Sequence, residues 1–538
     1  MIDIDPTLRL WGWAFLACYV AAMLFFGYLG MRRVKSSDDF ATARGAYGPL
    51  FLAFALTATT ASGGTFLGIP ALGYANGFSA LWYAVAYPLG TYLGLIVCLR
   101  GIRRAGAAFG TRSMPEYLGD RFDSEALRIC AALFSMLLLF YLAGQLLGGA
   151  VMFNRMMGID LFPALVVTAV VVMVYIVIGG AHADILTDGV QGALMLALSV
   201  AIIVMFVTGF GVDGGLTAVV ERLREQDAAL LAPLHPTHPV LNSRWDVFAL
   251  FVLHVPLGLL PHIGNKLWAL KSDRDQNRFI VWSFTFGMVL PMITLGGILA
   301  RAVLGDALLA EGASPNDAIP MLFIATLPAW LAALIGAGVL AAIMSTADGL
   351  VVSTSQIFAN DIYRRSIVPR LRVPPGEAAV DRMALRISRV ATLIVVAGAI
   401  WLAWVSQTMN VALLIAAGVG GMVAAIAGPI FAGIVWRGAT RAGALSGFLA
   451  GGLTFIVLKA GLLDAAWFDG GVFEAAGGWL AAQAPNAFSC GTLGTLASLG
   501  VTVAVSLLTT PPSAAHLARV FGDSTGEGVV AGARAGGR

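Results

Sequence analysis

Residues 57–65 read Thr-Ala-Thr-Thr-Ala-Ser-Gly-Gly-Thr, and residues 258–264 read Gly-Leu-Leu-Pro-His-Ile-Gly. Each lies inside an apolar run of roughly 20 residues or more, long enough to cross the hydrocarbon core of a bilayer. Adjacent glycines at that depth weaken a helix and let carbonyls turn off its axis. Pro261 removes a backbone donor and clashes with the preceding turn. Both spans are therefore expected to be broken helices. Small residues side by side can also serve close helix packing alone. Two interruptions in matching positions, however, point to a transporter built from inverted repeats, with its binding sites at the midplane.

The composition agrees with a membrane setting. Hydrophobic residues make up 59% of the 538 and charged residues only 12%, about half the share usual in soluble domains. Mean hydropathy is +0.85. The four cysteines, Cys18, Cys98, Cys130 and Cys490, show no paired spacing, so neither a disulfide framework nor a zinc site is indicated. The first apolar run follows acidic Asp3 and Asp5, which argues for a retained helix rather than a cleaved signal peptide.

Apolar stretches fall at 10–31, 49–73, 78–99, 128–152, 161–180, 187–210, 245–269, 279–304, 328–360, 386–406, 410–435, 442–462 and 490–509. An all-α integral membrane protein of about 13 transmembrane helices is expected. With the N-terminus outside and the C-terminus cytoplasmic, the basic clusters at Arg32–Arg44, Arg100–Arg128, Lys266–Arg278 and Arg364–Arg389 all lie inside, as the positive-inside rule requires. The broken second and seventh spans then occupy equivalent places in two five-helix blocks. The expected organisation is an N-terminal extra helix (1–40), a transporter core (41–440, with repeats about 49–210 and 245–436), two extra C-terminal helices with an external loop (441–512) and a disordered cytoplasmic tail (513–538). External loops are read at 211–243, with a short helix near Leu216–Glu225, and at 463–489, whose Trp467, Phe468, Phe473 and Trp479 suit a membrane interface. His235 and His238 lack a third ligand nearby in sequence, so no metal site is read there.

The ninth span carries Ala341-Ala-Ile-Met-Ser-Thr-Ala-Asp348. Two adjacent hydroxyls and a carboxylate in so apolar a run face a bundle interior, a cavity or an ion. Ser345 and Thr346 offer the hard oxygen ligands that Na+ accepts. Alternatively, both bond back to carbonyls one turn earlier.

Five blocks occur in order: Gly68-Ile-Pro70 after the Gly63-Gly64 pair, Gly179-Gly180 with Thr187-Asp-Gly-Val-Gln191, Leu260-Pro-His-Ile263 with Lys266, the Ala341–Asp348 block, and Trp436-Arg with Thr440-Arg-Ala-Gly-Ala444. Together they resemble the sodium:solute symporter family, nearest its pantothenate and monocarboxylate branch, over about residues 40–460. The resemblance implies a leucine-transporter-type fold of five plus five inverted helices working by alternating access. It implies one Na+ held by the carbonyls of Ala58, Ala61 and Ala342 and the hydroxyls of Ser345 and Thr346. Some members bind a second Na+ through the residue matching Asp188 and an extra Ser, where this chain has Ala342. Lys266 matches a basic position in relatives and reads either as a cytoplasmic-end anchor, the favoured reading, or as a counter-ion for the substrate.

The solute is expected beside the breaks, near Gly63, Gly64, Thr65 and Phe66 and near Leu260, Pro261 and His262. Half-helix ends expose N–H groups that favour a carboxylate. His262 reads either as a donor to it or as a histidine bonded within the bundle. The function expected is Na+-coupled import of a small carboxylate. The alternative is a proline-like amino acid or a sugar. The partners are the solute, Na+ and the bilayer of the cell's inner membrane, with no nucleic acid, and the chain is expected to work as a monomer. An intramembrane enzyme is disfavoured because no catalytic motif gathers the scattered acids and histidines. A channel is disfavoured because no repeated pore segment occurs.

Overall fold

The computed structural model describes residues 5–34, 42–373 and 375–522. The principal helices are α1 (Pro6–Arg33), α2 (Pro49–Thr60), α3 (Ile69–Asn76), α4 (Leu81–Phe109), α5 (Leu138–Met157), α6 (Leu161–Thr208), α7 (Arg244–His254), α8 (Gln276–Val289), α9 (Thr294–Leu304), α10 (Ala329–Gln356), α11 (Glu377–Val405), α12 (Val411–Val435), α13 (Arg441–Lys459) and α14 (Ala487–Leu507). No β-strand occurs among the described residues; Tyr47 and Leu270 form an isolated bridge.

Among the described residues ten helical segments are long and apolar enough to cross a membrane, or eleven when Arg244–Leu259 and Pro261–Ala269, bent by 49°, count as one span. The thirteen expected spans reduce to this number for a simple reason. Pro49–Thr60 and Leu161–Met173 are too short to count alone, and the second half of the broken second span runs on with the third as Gly64–Phe109. α6 holds two expected spans, separated at Gly180, whose φ of 53° and ψ of −148° turn the chain. A side chain at that φ would be strained, so glycine fits there.

The first break lies slightly earlier than the glycine pair suggests. α2 ends at Thr60, Ala61 leaves helical geometry (φ −86°, ψ 86°), and Gly64–Gly68 forms a π-turn leading into α3. The second lies at Leu260, which is extended (φ −61°, ψ 150°). The residue before a proline is pushed out of the helical region, and here that residue is Leu260.

Burial orders the bundle. The apolar window of α12 is 89% buried and that of α1 only 28%, so α12 is central and α1 peripheral. α2, α6 and α10 pack against one another, α5 packs on α10 and α12, and α13 and α14 pair beside α12. Leu10, Trp11 and Phe25 on α1 and Leu393, Ile394 and Trp401 on α11 are exposed, as lipid-facing side chains are. Packing in such bundles relies on small residues that let backbones approach. At Gly68 an added Cβ would lie 2.2 Å from the backbone nitrogen of Ala412.

The helix expected within 211–243 runs Gly215–Gln226, and the aromatic loop folds as the short helices Ala465–Phe468 and Glu474–Ala481, with Trp467 and Phe473 exposed. Part of the tail expected to be disordered is ordered. Ala514–Phe521 is a helix whose Arg519 donates to the carbonyl of Ala108 at 2.9 Å, while Arg104 donates to the carbonyl of Phe521 at 2.6 Å. Its polar face, not legible from composition alone, docks on α4. Residues 523–538 lie outside the described residues.

Candidate functional site

The end of α2 decides what the site can do. The last carbonyls of a helix have no partner within it, and at this depth no bulk water serves them. They are served instead by three neighbouring side chains. Ser345 Oγ donates to the carbonyl of Ala58 at 2.9 Å, Thr346 Oγ1 to that of Thr59 at 3.0 Å, and Tyr87 Oη to that of Thr60 at 2.7 Å. Ser345 also reaches Ala342 O on its own helix at 3.0 Å. Back-bonding within one turn thus describes Ser345 only in part and Thr346 not at all. Ala58, Ala342, Ser345 and Thr346 are fully buried, and Ala61 is 2% exposed. Carbonyl and hydroxyl oxygens converge at the negative end of a helix dipole, an arrangement that favours a cation.

Past the break the polarity reverses. Gly63 N–H donates to Gln145 Oε1 at 2.8 Å and Gly64 N–H to Ser62 Oγ at 3.2 Å. These amides start the second half-helix, where an anion is favoured. Gly64 and Thr65 line a cavity of about 30 Å³ together with Ser62, Tyr87, Tyr141 and His254, room for a water or two. Among the described residues no Asp or Glu lines it.

The residues expected around the solute divide between two places. Gly64 and Thr65 border this cavity. Gly63 sits against Gln145 and Ile343, and Phe66 is buried in the core. From the seventh span it is His254 and Leu257, just before the break, that face the cavity. Leu260 and Pro261 are buried. His262 lies at a second, 20 Å³ cavity bordered by Asp184, Lys266 and Ser353. Its ring meets Tyr141 edge-on at 5.2 Å, and neither nitrogen has a hydrogen-bond partner among the described residues.

Asp188 is fully buried and accepts from Thr59 Oγ1 at 2.7 Å. Its other partner corrects a sequence reading. Lys266 is not an interfacial anchor. Only 3% of its side chain is exposed, and its ammonium pairs with Asp188 and, at 2.9 Å, with Asp184. The bend at Leu260 turns the following segment inward, which is why a lysine near the end of an apolar run reaches the centre. Asp184 escaped the sequence reading although it precedes Asp188 by one helical turn and so shares its face. Gln145 and Tyr87 escaped it because only the fold brings them to the break.

The profile of the sodium:solute symporter family matches residues 40–451, well over half of the chain. The chain belongs to the sodium:solute symporter family. Among its relatives are a sodium/pantothenate symporter of Escherichia coli K12, 26% identical over 82% of this chain and 89% of its own length, and a sodium/proline symporter of Salmonella typhimurium, 26% identical over 82% and 86%. Among solved structures, a Na+-coupled sialic acid symporter in a substrate-bound outward-open state superposes with a TM-score of 0.71 at 23% identity, over 94% of this chain and 99% of that one. A nucleobase-cation-symport-1 family transporter in a closed conformation gives 0.51 at 14% identity, over 90% and 98%. The fold is therefore of the leucine-transporter type, and the symporter is a multi-pass membrane protein coupled to Na+. Identity to the proline and pantothenate relatives is equal, so it does not select a solute.

Proposed function

We propose that this symporter imports a small solute bearing a carboxylate, pantothenate-like or a monocarboxylate, by alternating access driven by Na+. The observation that carries the reading is the pairing of opposite helix ends at one break. A helix C-terminus (Ala58–Thr60) and a half-helix N-terminus (Gly63–Thr65) lie a few residues apart, so cation and anion sites are neighbours. Na+ is held by the carbonyls of Ala58, Ala61 and Ala342 with the hydroxyls of Ser345 and Thr346. Their burial and the Ser345 contacts support this set, and the hydroxyls turn their lone pairs to the ion when it enters. The carboxylate takes the place of Gln145 Oε1 and Ser62 Oγ at the amides of Gly63 and Gly64 and meets the side chain of Thr65, with Tyr87, Tyr141 and His254 opposite. Phe66, Leu260, Pro261 and His262 border the route on its inner side.

The cavity is too small for such a solute as it stands. Loading requires the wall formed by Ile415 and Val419 of α12 to move away from the break. The blocks 49–210 and 245–436 supply the two halves of that movement, with the N-terminus outside, the C-terminus in the cytoplasm and the protein in the inner membrane.

A proline-like amino acid is the second reading, supported by relatives named for proline and by the carbonyl of Thr60 at the cavity, an acceptor for an amine. Competition separates the two. Na+-driven uptake of labelled pantothenate, lactate or proline into proteoliposomes is challenged with each compound's neutral analogue, in which an alcohol or amide replaces the carboxylate. The carboxylates are expected to compete and the neutral analogues to fail. Equal competition by neutral analogues, or uptake restricted to a hexose, would overturn the reading.

A further inference from the structure

Lys266 sets its ammonium between two buried carboxylates, Asp184 and Asp188. Thr59 belongs to two oxygen clusters at once. Its carbonyl accepts from Thr346, beside the proposed Na+ ligands, while its hydroxyl accepts from Lys266 Nζ at 2.5 Å and donates to Asp188 Oδ2 at 2.7 Å. A fully buried carboxylate is thus one residue away from a cation site. A carboxylate so far from water needs a cation partner. Asp188 has one that cannot leave, because the ammonium is tethered to the broken seventh span and held also by Asp184.

The carboxylates are not saturated by it. Asp188 Oδ1 and Asp184 Oδ1 are both buried and have no hydrogen-bond partner among the described residues. The 20 Å³ cavity at Asp184, His262 and Ser353 lies alongside, with room for one water-sized occupant. If the lysine charge were removed, the remaining oxygens would form a site able to take a small cation.

We infer that Lys266 is a built-in second cation at Asp188, which limits the symporter to a single Na+ per transport cycle. This rests on the proposed Na+ site at Ser345 and adds to it the ion count and the residue that fixes it. Lys266 is a positioning residue: it touches neither Na+ nor solute, and acts by occupying the carboxylates. A purely structural role for the pair would leave the number of bound ions unchanged on its removal.

The test counts ions and needs no solute. Binding of 22Na+ to the purified full-length protein in detergent, by scintillation proximity, is expected to be hyperbolic and to saturate at one Na+ per protein. Lys266→Met is expected to bind two, Lys266→Arg to remain at one, and Lys266→Met/Asp188→Asn to return to one. Two Na+ on the wild type would overturn the inference, as would a monodisperse Lys266→Met protein that still binds one. If Lys266→Met does not fold, the wild-type count decides alone. Ser345→Ala run alongside keeps the two readings apart: undiminished Na+ binding there contradicts the proposed ion ligands, whatever the count at Lys266.

Discussion

The hydroxyl of Thr346 donates to the carbonyl of Thr59 at 3.0 Å, joining α10 to the last turn of α2 across 287 residues of sequence. Beside it Ser345 makes the same kind of bond to Ala58. Two consecutive hydroxyls therefore close the end of a helix that stops in mid-membrane. The bonds make the proposed ion site a junction between the element that breaks and the long helix that stays intact, so on that proposal ion occupancy and helix separation are linked.

From this junction follows the effect of removing either hydroxyl. A hydrogen bond or ligand to a charged group contributes about 1.5–3 kcal/mol, and about 1.4 kcal/mol corresponds to a tenfold change in affinity. Ser345→Ala and Thr346→Ala are each expected to raise the Na+ concentration for half-maximal uptake by roughly tenfold or more, while Thr346→Ser stays near wild type. Na+ titration of uptake in proteoliposomes measures it. A lowered melting temperature with unchanged Na+ activation would show the hydroxyls to be helix ties only.

Asp188→Asn removes half of the pairing of a buried ammonium. Breaking one side of such a pair costs about 3–5 kcal/mol. The variant is expected to melt lower in detergent and to lose Na+-driven uptake, and the added Lys266→Met change is expected to recover much of the melting temperature. An Asp188→Asn protein as stable and as active as wild type would contradict the pairing described here.

Gly68→Ala tests the close approach of α12 to the half-helix that follows the first break. The new Cβ meets backbone atoms of Ala412 at 2.2 and 2.8 Å, which cannot rotate away, and overpacking of this kind costs typically about 1–3 kcal/mol. α12 is expected to be displaced, with loss of uptake and a lower melting temperature. Gly398→Ala on α11, whose Cβ comes no closer than 3.5 Å to Leu139, is the matched control and is expected to be neutral.

The loop between α6 and α7 carries a pH effect of calculable sign. Burial, and secondarily His235, push His238 down to about 3, and its Nδ1 accepts from Val240 N–H at 3.2 Å. The unfolded loop binds this proton below about pH 6.5 while the folded loop excludes it. The stabilisation is thus complete above that pH and is lost as the pH falls from 6.5 toward 3. Hydrogen exchange across 228–243, corrected for intrinsic rates, is expected to be faster at pH 5 than at pH 7.5, and His238→Gln should flatten the difference. Equal protection at both pH values would contradict the burial argument. Asp227, which accepts from the amide of Ala229 and pairs with His235 at 3.3 Å, is held below the usual carboxylate range and so stays charged at both pH values.

How far the sequence carries can be judged from particular residues. Glycine pairs, Pro261 and the Ser345-Thr346 step are local signals, and they located both breaks to within a few residues and named the hydroxyls that meet α2. The displacement of the first break from Gly63 to Ala61 was not legible, because helix termination there is settled by where the orphan carbonyls find partners. Lys266 was misread because its position in the apolar run says nothing of the bend that turns it inward. His254 and Tyr87 reach the cavity, and Gln145 the amide of Gly63, from other helices through packing alone, and single helices give no sign of it. The helix Ala514–Phe521 was missed for the same reason, its partner surface being α4.

Coupled transport through the proposed Ala58–Ser345–Thr346 cluster is the central expectation. Purified protein in liposomes, with a labelled carboxylate at equal concentration on both sides and an inward Na+ gradient, is predicted to accumulate the solute inside and to release it when a Na+ ionophore dissipates the gradient. The Ser345→Ala/Thr346→Ala double variant, inserted to the same level, is predicted to do neither. Equilibration without accumulation in the wild type, or full accumulation by the double variant, would contradict it.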